Sequence, residues 1–498
     1  QLNLSGTKQQ VRFNNQMTGV LVAQQSGVID LSKGEPKLSV TGHWKKLHWP
    51  LSGKPQFSSP RGEFAVLGQL NDYQSRLNAD VMAATDSLNI DFVMDLIAKG
   101  NQQELKIKRL ELKPEQGILQ AEGDINWGQI LGAEFNVTAK DFNPAMLGSK
   151  VAGNLAIKAH IKAKLENNKI QADLQLNKLT GTLHQQPVSA VAKIKVENQQ
   201  IAVDSLKLIA GQNQLTAQGQ ISAQQADFNV SIIAPDLVSA WPGLSGVLNA
   251  KASVKGSFQR PTVKAQLEAS HLNYQESHIT QLVFNTDYQH ASQQQSTLEL
   301  SAYGVKVQQH EIEHFKLQLN GNQQAHKILL DLQSSLAGLH VAADGRWSKP
   351  QWIAQVNQLW IEQAQLKKWQ LAEPTQLVLQ PHKQQSKFEL ANSCLVQASA
   401  RVCVFAKGEL ERAYKANFDL SNIPLILAQH WLPEGLSLLG ALSAKARLSS
   451  FNKALSANIN ANIVDGLVRV GEDDSVQHEL RFKTPKLQFE YADDQLIS

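Results

Sequence analysis

Gly153-Asn-Leu155-Ala-Ile157-Lys-Ala159-His-Ile161 places apolar or small residues two, four, six and eight positions after a glycine, with polar or small residues between them. A period of two marks a β-strand, because successive side chains leave opposite faces of the pleat. The pattern recurs as Gly62 with Phe64, Val66, Gly68 and Leu70; as Gly246 with Leu248, Ala250, Ala252 and Val254; and as Gly440 with Leu442, Ala444, Ala446 and Leu448. The intervals are 91, 93 and 194 residues, the last close to twice the others. Repetition at a fixed period points to a stacked array, not to unrelated domains. The sequence therefore predicts an all-β fold: a single continuous repetitive β-structure over 1–498, with strand-motif repeats starting near 62, 153, 246 and 440.

The composition agrees. No Pro/Gly/Ser-rich linker or charge run breaks the pattern, although 498 residues would ordinarily suggest about three domains. Only 18% of residues are charged and the net charge is +4, with lysines scattered along the strands, so no basic patch calls for a nucleic-acid partner. The outward positions are rich in Gln, Asn, Ser and Thr, as in 171–175 and 218–225, which suits a long solvated β-surface. No run of about 18 apolar residues could cross a bilayer as a helix. Gln1-Leu2-Asn3-Leu4 already reads as a strand, and Leu487-Gln-Phe489-Glu-Tyr491 still alternates near the other end. The chain is thus expected to be an interior fragment of a longer polypeptide.

Cys394 and Cys403 are the two cysteines. In an oxidising compartment their spacing suits a disulfide closing a short loop; in a reducing one they would be two buried thiols. A periplasmic location would favour the disulfide.

Each repeat has further parts. An entry strand carries a glycine followed two positions later by a large apolar residue: Gly42/Trp44, Gly123/Ile125, Gly219/Ile221, Gly408/Leu410. Non-strand inserts follow, over 141–148, 235–242 and 422–433, and are expected to form short helical turns laid over the edge or mouth of the sheet. In the third, Pro424 suits a first helical turn and Pro433 its end. The element Leu105-x-Ile107-x-x-Leu110-x-Leu112, repeated at Ile201, Val203, Leu206 and Leu208, carries a two-residue phase break and predicts a bulge or tight turn.

His310-Glu311-Ile312-Glu313-His314 matches H-E-x-x-H, which binds zinc only when a helix puts both histidines on one face. Here the flanking residues alternate as strands, and in an extended chain the two histidines stand about 13 Å apart. The match reads as a coincidence and no metal site is expected. No phosphate loop, nucleophile elbow or CxxC pair is present, and the Asp473-Asp474 pair reads as a turn, so neither catalytic residues nor a cofactor are expected. Trp49, Trp241 and Trp431 sit beside prolines in the inserts and are expected to pin those turns onto the sheet. Lys158, Lys251 and Lys445 fall on the polar face as solubilising residues.

The apolar stripe admits two readings, a packed core or an open ligand path. Its central positions are small (Gly68, Ala159, Ala252, Ala446), and the inserts supply too little apolar mass to cover so long a sheet. Both details favour an open path lined by Phe64, Val66, Leu70, Leu155, Ile157, Ile161, Leu248, Val254, Leu442 and Leu448.

This repeat grammar, with its G-x-x-x-x-P turn at Gly256-Ser-Phe-Gln-Arg-Pro261, resembles the AsmA-like/TamB family, the bacterial relatives of bridge-like lipid-transfer proteins. The most specific stretch runs from Cys394 to Gly440. The resemblance implies a taco-shaped β-groove with phospholipid cargo in its apolar trough. It also implies a periplasmic setting in a Gram-negative bacterium, an inner-membrane anchor N-terminal to this chain, and an Omp85-type outer-membrane barrel as partner. Competing readings are a scaffold for outer-membrane protein assembly acting through sheet edges, and a purely structural β-solenoid with a closed core.

Overall fold

The computed structural model describes residues 1–498 apart from 20, 33, 51–55, 85–88, 129, 148–150, 168, 291–293, 364–365, 383–384, 411, 452–453, 472–477, 493–494 and 498. The chain divides into two compact units, Gln1–Phe258 and Gln259–Ser498. Both are all-β, as the alternation requires.

Among the described residues, the first unit holds seventeen strands, from Leu2–Thr7 to Leu244–Ser257. Strands consecutive in the chain pair antiparallel throughout. Such a meander needs only tight connections, because antiparallel neighbours can be joined by a two-residue turn. At the corner His184-Gln185 both residues take positive φ, 47° and 67°, and at Asn198-Gln199 the values are 48° and 70°. Two successive positive φ values are what a two-residue type I′ hairpin demands.

The second unit continues the same way from Arg260–Tyr274, again with seventeen strands among the described residues. Its meander splits at two places. Strand Gln351–Gln363 pairs with both Lys367–Leu371 and Thr375–Gln380, and each of these pairs with Lys387–Gln397. Pro374, which has no N–H to give a ladder, lies in the break. Strand Ala454–Val470 likewise pairs with both His478–Phe482 and Lys486–Ala492.

The inserts form short 3-10 turns, Pro144–Leu147, Leu237–Ser239 and Leu425–Trp431, each packed on the strand that follows it. Pro433 follows the C-cap Leu432 of the third, as expected, whereas Pro424 stands one residue earlier than expected, at the N-cap position just before the turn. In the second, Asp236 Oδ1 accepts from the Val238 N–H, and Leu237 is the buried apolar side chain. The aromatic anchors are a correction. Trp49 and Trp241 are 63% and 50% exposed, so neither pins a turn to the sheet, and in the second turn aliphatic Leu237 does so instead. The side chain of Trp431, Gly148 and the Asp473-Asp474 pair lie outside the described residues.

The phase breaks are bulges inside continuous strands. In Glu104–Pro114 the pairing steps from Arg109 to Ile107, leaving Lys108 unpaired. In Gln200–Ala210 it steps from Ser205 to Val203, leaving Asp204 unpaired. The extra residue restores the apolar side chains on both sides of it to one face.

Candidate functional site

The register assembles the alternating strands into transverse rows. One row in the first unit runs Phe64, Leu77, Leu96, Leu110, Ala121, Val137, Ala159, Leu176, Ala192, Leu206, Ala217, Val230, Ala252, each residue paired with the next. Val66, Ile161 and Val254 share the row on one side of it, together with Ile107, Phe135 and Phe228. Ile157 lies on the other side, in a row with Leu119, Ala139, Leu179 and Leu208. Three rows two residues apart make a band about 13 Å wide, and thirteen strands stack to about 58 Å.

The opposite face is polar. Glu63, Asn78, Asp95, Glu111, Gln120, Thr138 and Lys158 form one of its rows. Ion pairs lace it, among them Arg109–Asp95 at 2.8 Å and Lys162–Glu134 at 2.7 Å. The Lys162 ammonium holds the Glu134 carboxyl below its usual range, and Lys195 does the same to Asp204.

In the second unit, Leu448 pairs with Ala416 and Ala457, and Leu442 with Ile423 and Ile463, so both lie in apolar rows. Leu248 pairs with Ala234 near the second 3-10 turn. One candidate departs from the stripe, and another is buried on it. The strand Phe57–Gln69 ends before Leu70, which sits in the hairpin turn and is 50% exposed. Leu155 is 5% exposed, buried at the end of a strand that carries a 3-10 turn, and acts there as core.

The apolar face is not covered by a second layer. Among the described residues no large side chain is fully buried; the buried hydrophobics are mostly alanines. The accessible surface is 32131 Å², whereas two separate compact globules of half this mass would expose about 22,000 Å² together. Two recesses, of about 540 Å³ beside Glu63 and Arg76 and about 1160 Å³ beside Asn417 and Lys445, open chiefly among polar-face side chains. The side chains of the apolar band are mostly half-buried against one another, as in a single layer whose outer side has no cover.

The sequence that folds into these rows matches a known family along its whole length: a family model described as "TamB, N-terminal domain" covers residues 1–498. The chain belongs to the TamB family. It is 22% identical over 477 residues to the translocation and assembly module subunit TamB of Haemophilus influenzae, covering 93% of this chain and 36% of that protein. The chain thus spans about a third of the length of this relative.

Cys394 and Cys403 form a disulfide, with Cα atoms 4.0 Å apart, across the hairpin of Lys387–Gln397 and Ala400–Glu409. It lies opposite Asp419 on the polar face and not on the apolar rows. His310–His314 lies in the strand His310–Gly321, and His314 stacks on Tyr303 at 4.8 Å.

Sequence reasoning missed why glycines recur. Gly42, Gly123 and Gly219 sit opposite Phe64, Phe135 and Phe228 in the register. A Cβ on Gly42 would meet the Phe64 ring at 2.5 Å, and one on Gly123 the Phe135 ring at 2.8 Å. At these two positions the ring of one strand lies over the bare backbone of its neighbour, whereas at Gly219 a Cβ would meet the backbone of Asp227 and Phe228. A glycine followed 9 to 22 residues later by a phenylalanine, one hairpin on, was the available signal.

Proposed function

We propose that the chain carries phospholipid along the apolar face of its β-sheet, as part of a periplasmic bridge that supplies lipid for outer-membrane biogenesis. The observation that carries this reading is the apolar band, which stays in register across thirteen strands with no protein layer over it. Its width of about 13 Å is close to half the roughly 30 Å hydrocarbon thickness of a bilayer, the depth of one layer of acyl chains. Each methylene kept from water is worth about 0.8 kcal/mol, so an apolar strip lowers the barrier to moving a lipid without any covalent chemistry. Interchangeable Leu, Ile, Val and Ala along the rows suit cargo that slides, since dispersion contacts are non-directional. Family membership supports attachment to the inner membrane and cooperation with an Omp85-type outer-membrane barrel through parts of the protein beyond this chain.

Photocrosslinking probes at Ile157 and Ile161, with Lys158 and Lys162 as opposite-face controls, test this in cells labelled with radioactive phosphate. Labelled lipid attached at the first pair alone is the expected result. Equal labelling at all four, or none in a folded protein, would remove the apolar face as the lipid path and favour a scaffolding role.

A further inference from the structure

The polar face of the second unit carries a recess of about 1160 Å³, on the side of the sheet opposite the apolar rows. Its floor is a grid set by the register: Asn417, Arg447 and Asn458 in one row, and Asp419, Lys445, Asn460 and Gln488 in the next. A third row holds Ser443, Asn462 and Lys486. Neighbours in a row stand about 4.8 Å apart and rows about 6.7 Å apart.

Elsewhere in the second unit some cations stand closer to carboxylates, as in Lys264–Asp287 at 2.9 Å and Lys387–Glu409 at 3.3 Å. Here Lys445 reaches Asp419 only at 3.8 Å, with a side chain 80% exposed. Arg447 and Lys486 both line the recess, are exposed, and have no ion-pair partner among the described residues. The amides are only partly engaged: Asn458 donates to Glu490 Oε1 at 2.7 Å, and Asn460 donates to Asn458 Oδ1 at 2.9 Å. Phe405, half-buried, places an aromatic ring on the same wall.

We propose that this recess binds an acidic oligosaccharide. Amides and hydroxyls outnumber the cations, which suits a ligand rich in hydroxyl groups with a few carboxylates. A polyphosphate would call for a denser row of Lys and Arg. An Arg guanidinium can hold a carboxylate bidentately, Asn side chains offer paired donors and acceptors to hydroxyls, and the Phe405 ring gives an apolar sugar face somewhere to rest. Because this surface lies on the other face from the apolar rows, it goes beyond the proposed lipid path and does not depend on it.

The test titrates the whole chain calorimetrically with a hexamer of galacturonic acid, a neutral cellulose hexamer, inorganic phosphate and a six-nucleotide single-stranded DNA. The galacturonate hexamer is expected to saturate one site and to bind at least tenfold tighter than the other three probes. The double variant Arg447→Ser/Lys486→Ser should weaken it at least tenfold, Asn462→Ala should weaken it severalfold, and Lys158→Ser in the first unit should leave it unchanged. Circular dichroism checks that each variant is folded. No saturable binding of the uronide, equal binding of phosphate or DNA, or unchanged binding by the double variant would overturn the proposal.

Discussion

Gly42 and Phe64 show how a single position holds this sheet together. The Phe64 ring occupies the volume a side chain at 42 would need, and the Gln24 carbonyl oxygen closes the other side at 3.0 Å. Gly42→Ala should therefore destabilise the first unit by about 1–3 kcal/mol, the usual penalty for overpacking. Combining it with Phe64→Leu should recover part of that loss, a coupling that a double-mutant cycle in urea would measure. The polar face makes a prediction of a different kind. Hydrogen bonds from Lys113 and then Gln120 hold Glu111 below its usual range, as Arg469 does for Glu479 and Lys264 for Asp287. A carboxylate with a depressed folded-state pKa adds stability above its unfolded value and loses it as pH falls through the folded value. Stability should thus decline on acidification below about pH 4, and less steeply in high salt because these pairs are exposed. Thermal unfolding as a function of pH and salt checks both signs.

Among the elements, bulges and turns set which face each strand shows. Asp204 is the extra residue that keeps Val203 and Leu206 in apolar rows. Deleting it should turn one half of Gln200–Ala210 over, sending its apolar side chains to the polar face. The expected outcome is loss of the cooperative unfolding transition, whereas Asp204→Ser, which keeps the count, should change stability by under about 1 kcal/mol. The 3-10 turn Leu237–Ser239 gives a cleaner contrast. Leu237→Ala should cost about 2–3 kcal/mol because the side chain is buried. Trp241→Ala should cost under about 0.5 kcal/mol because its ring is exposed. Chemical denaturation of the two variants side by side decides which residue anchors the turn.

For the molecule as a whole, the disulfide and the apolar face separate stability from function. Cys394 and Cys403 are nine positions apart, and the chain-entropy contribution of closing so short a loop is about 2–3 kcal/mol. Cys394→Ser/Cys403→Ser should lower the unfolding midpoint of the second unit accordingly and leave lipid crosslinking at Ile157, in the first unit, unchanged. Ile157→Glu should do the reverse, abolishing lipid crosslinking at neighbouring Ile161 while the circular dichroism of a folded sheet persists.

The alternation in Gly153–Ile161 and its copies was enough to determine the all-β class and the polar and apolar faces, because both are local consequences of period-two geometry. The phase breaks at 105–112 and 201–208 left a bulge or a tight turn open until the register placed the bulges at Lys108 and Asp204. The sequence also marked the cysteine pair. It could not say that Leu70 falls in a turn, that Leu155 is buried, or that Trp49 and Trp241 face solvent, because exposure depends on which strands end where. Nor could it align Val66, Ile161 and Val254, which lie up to 188 residues apart yet share one row. Register is the sum of every hairpin and bulge between two positions, so only the assembled sheet decides it.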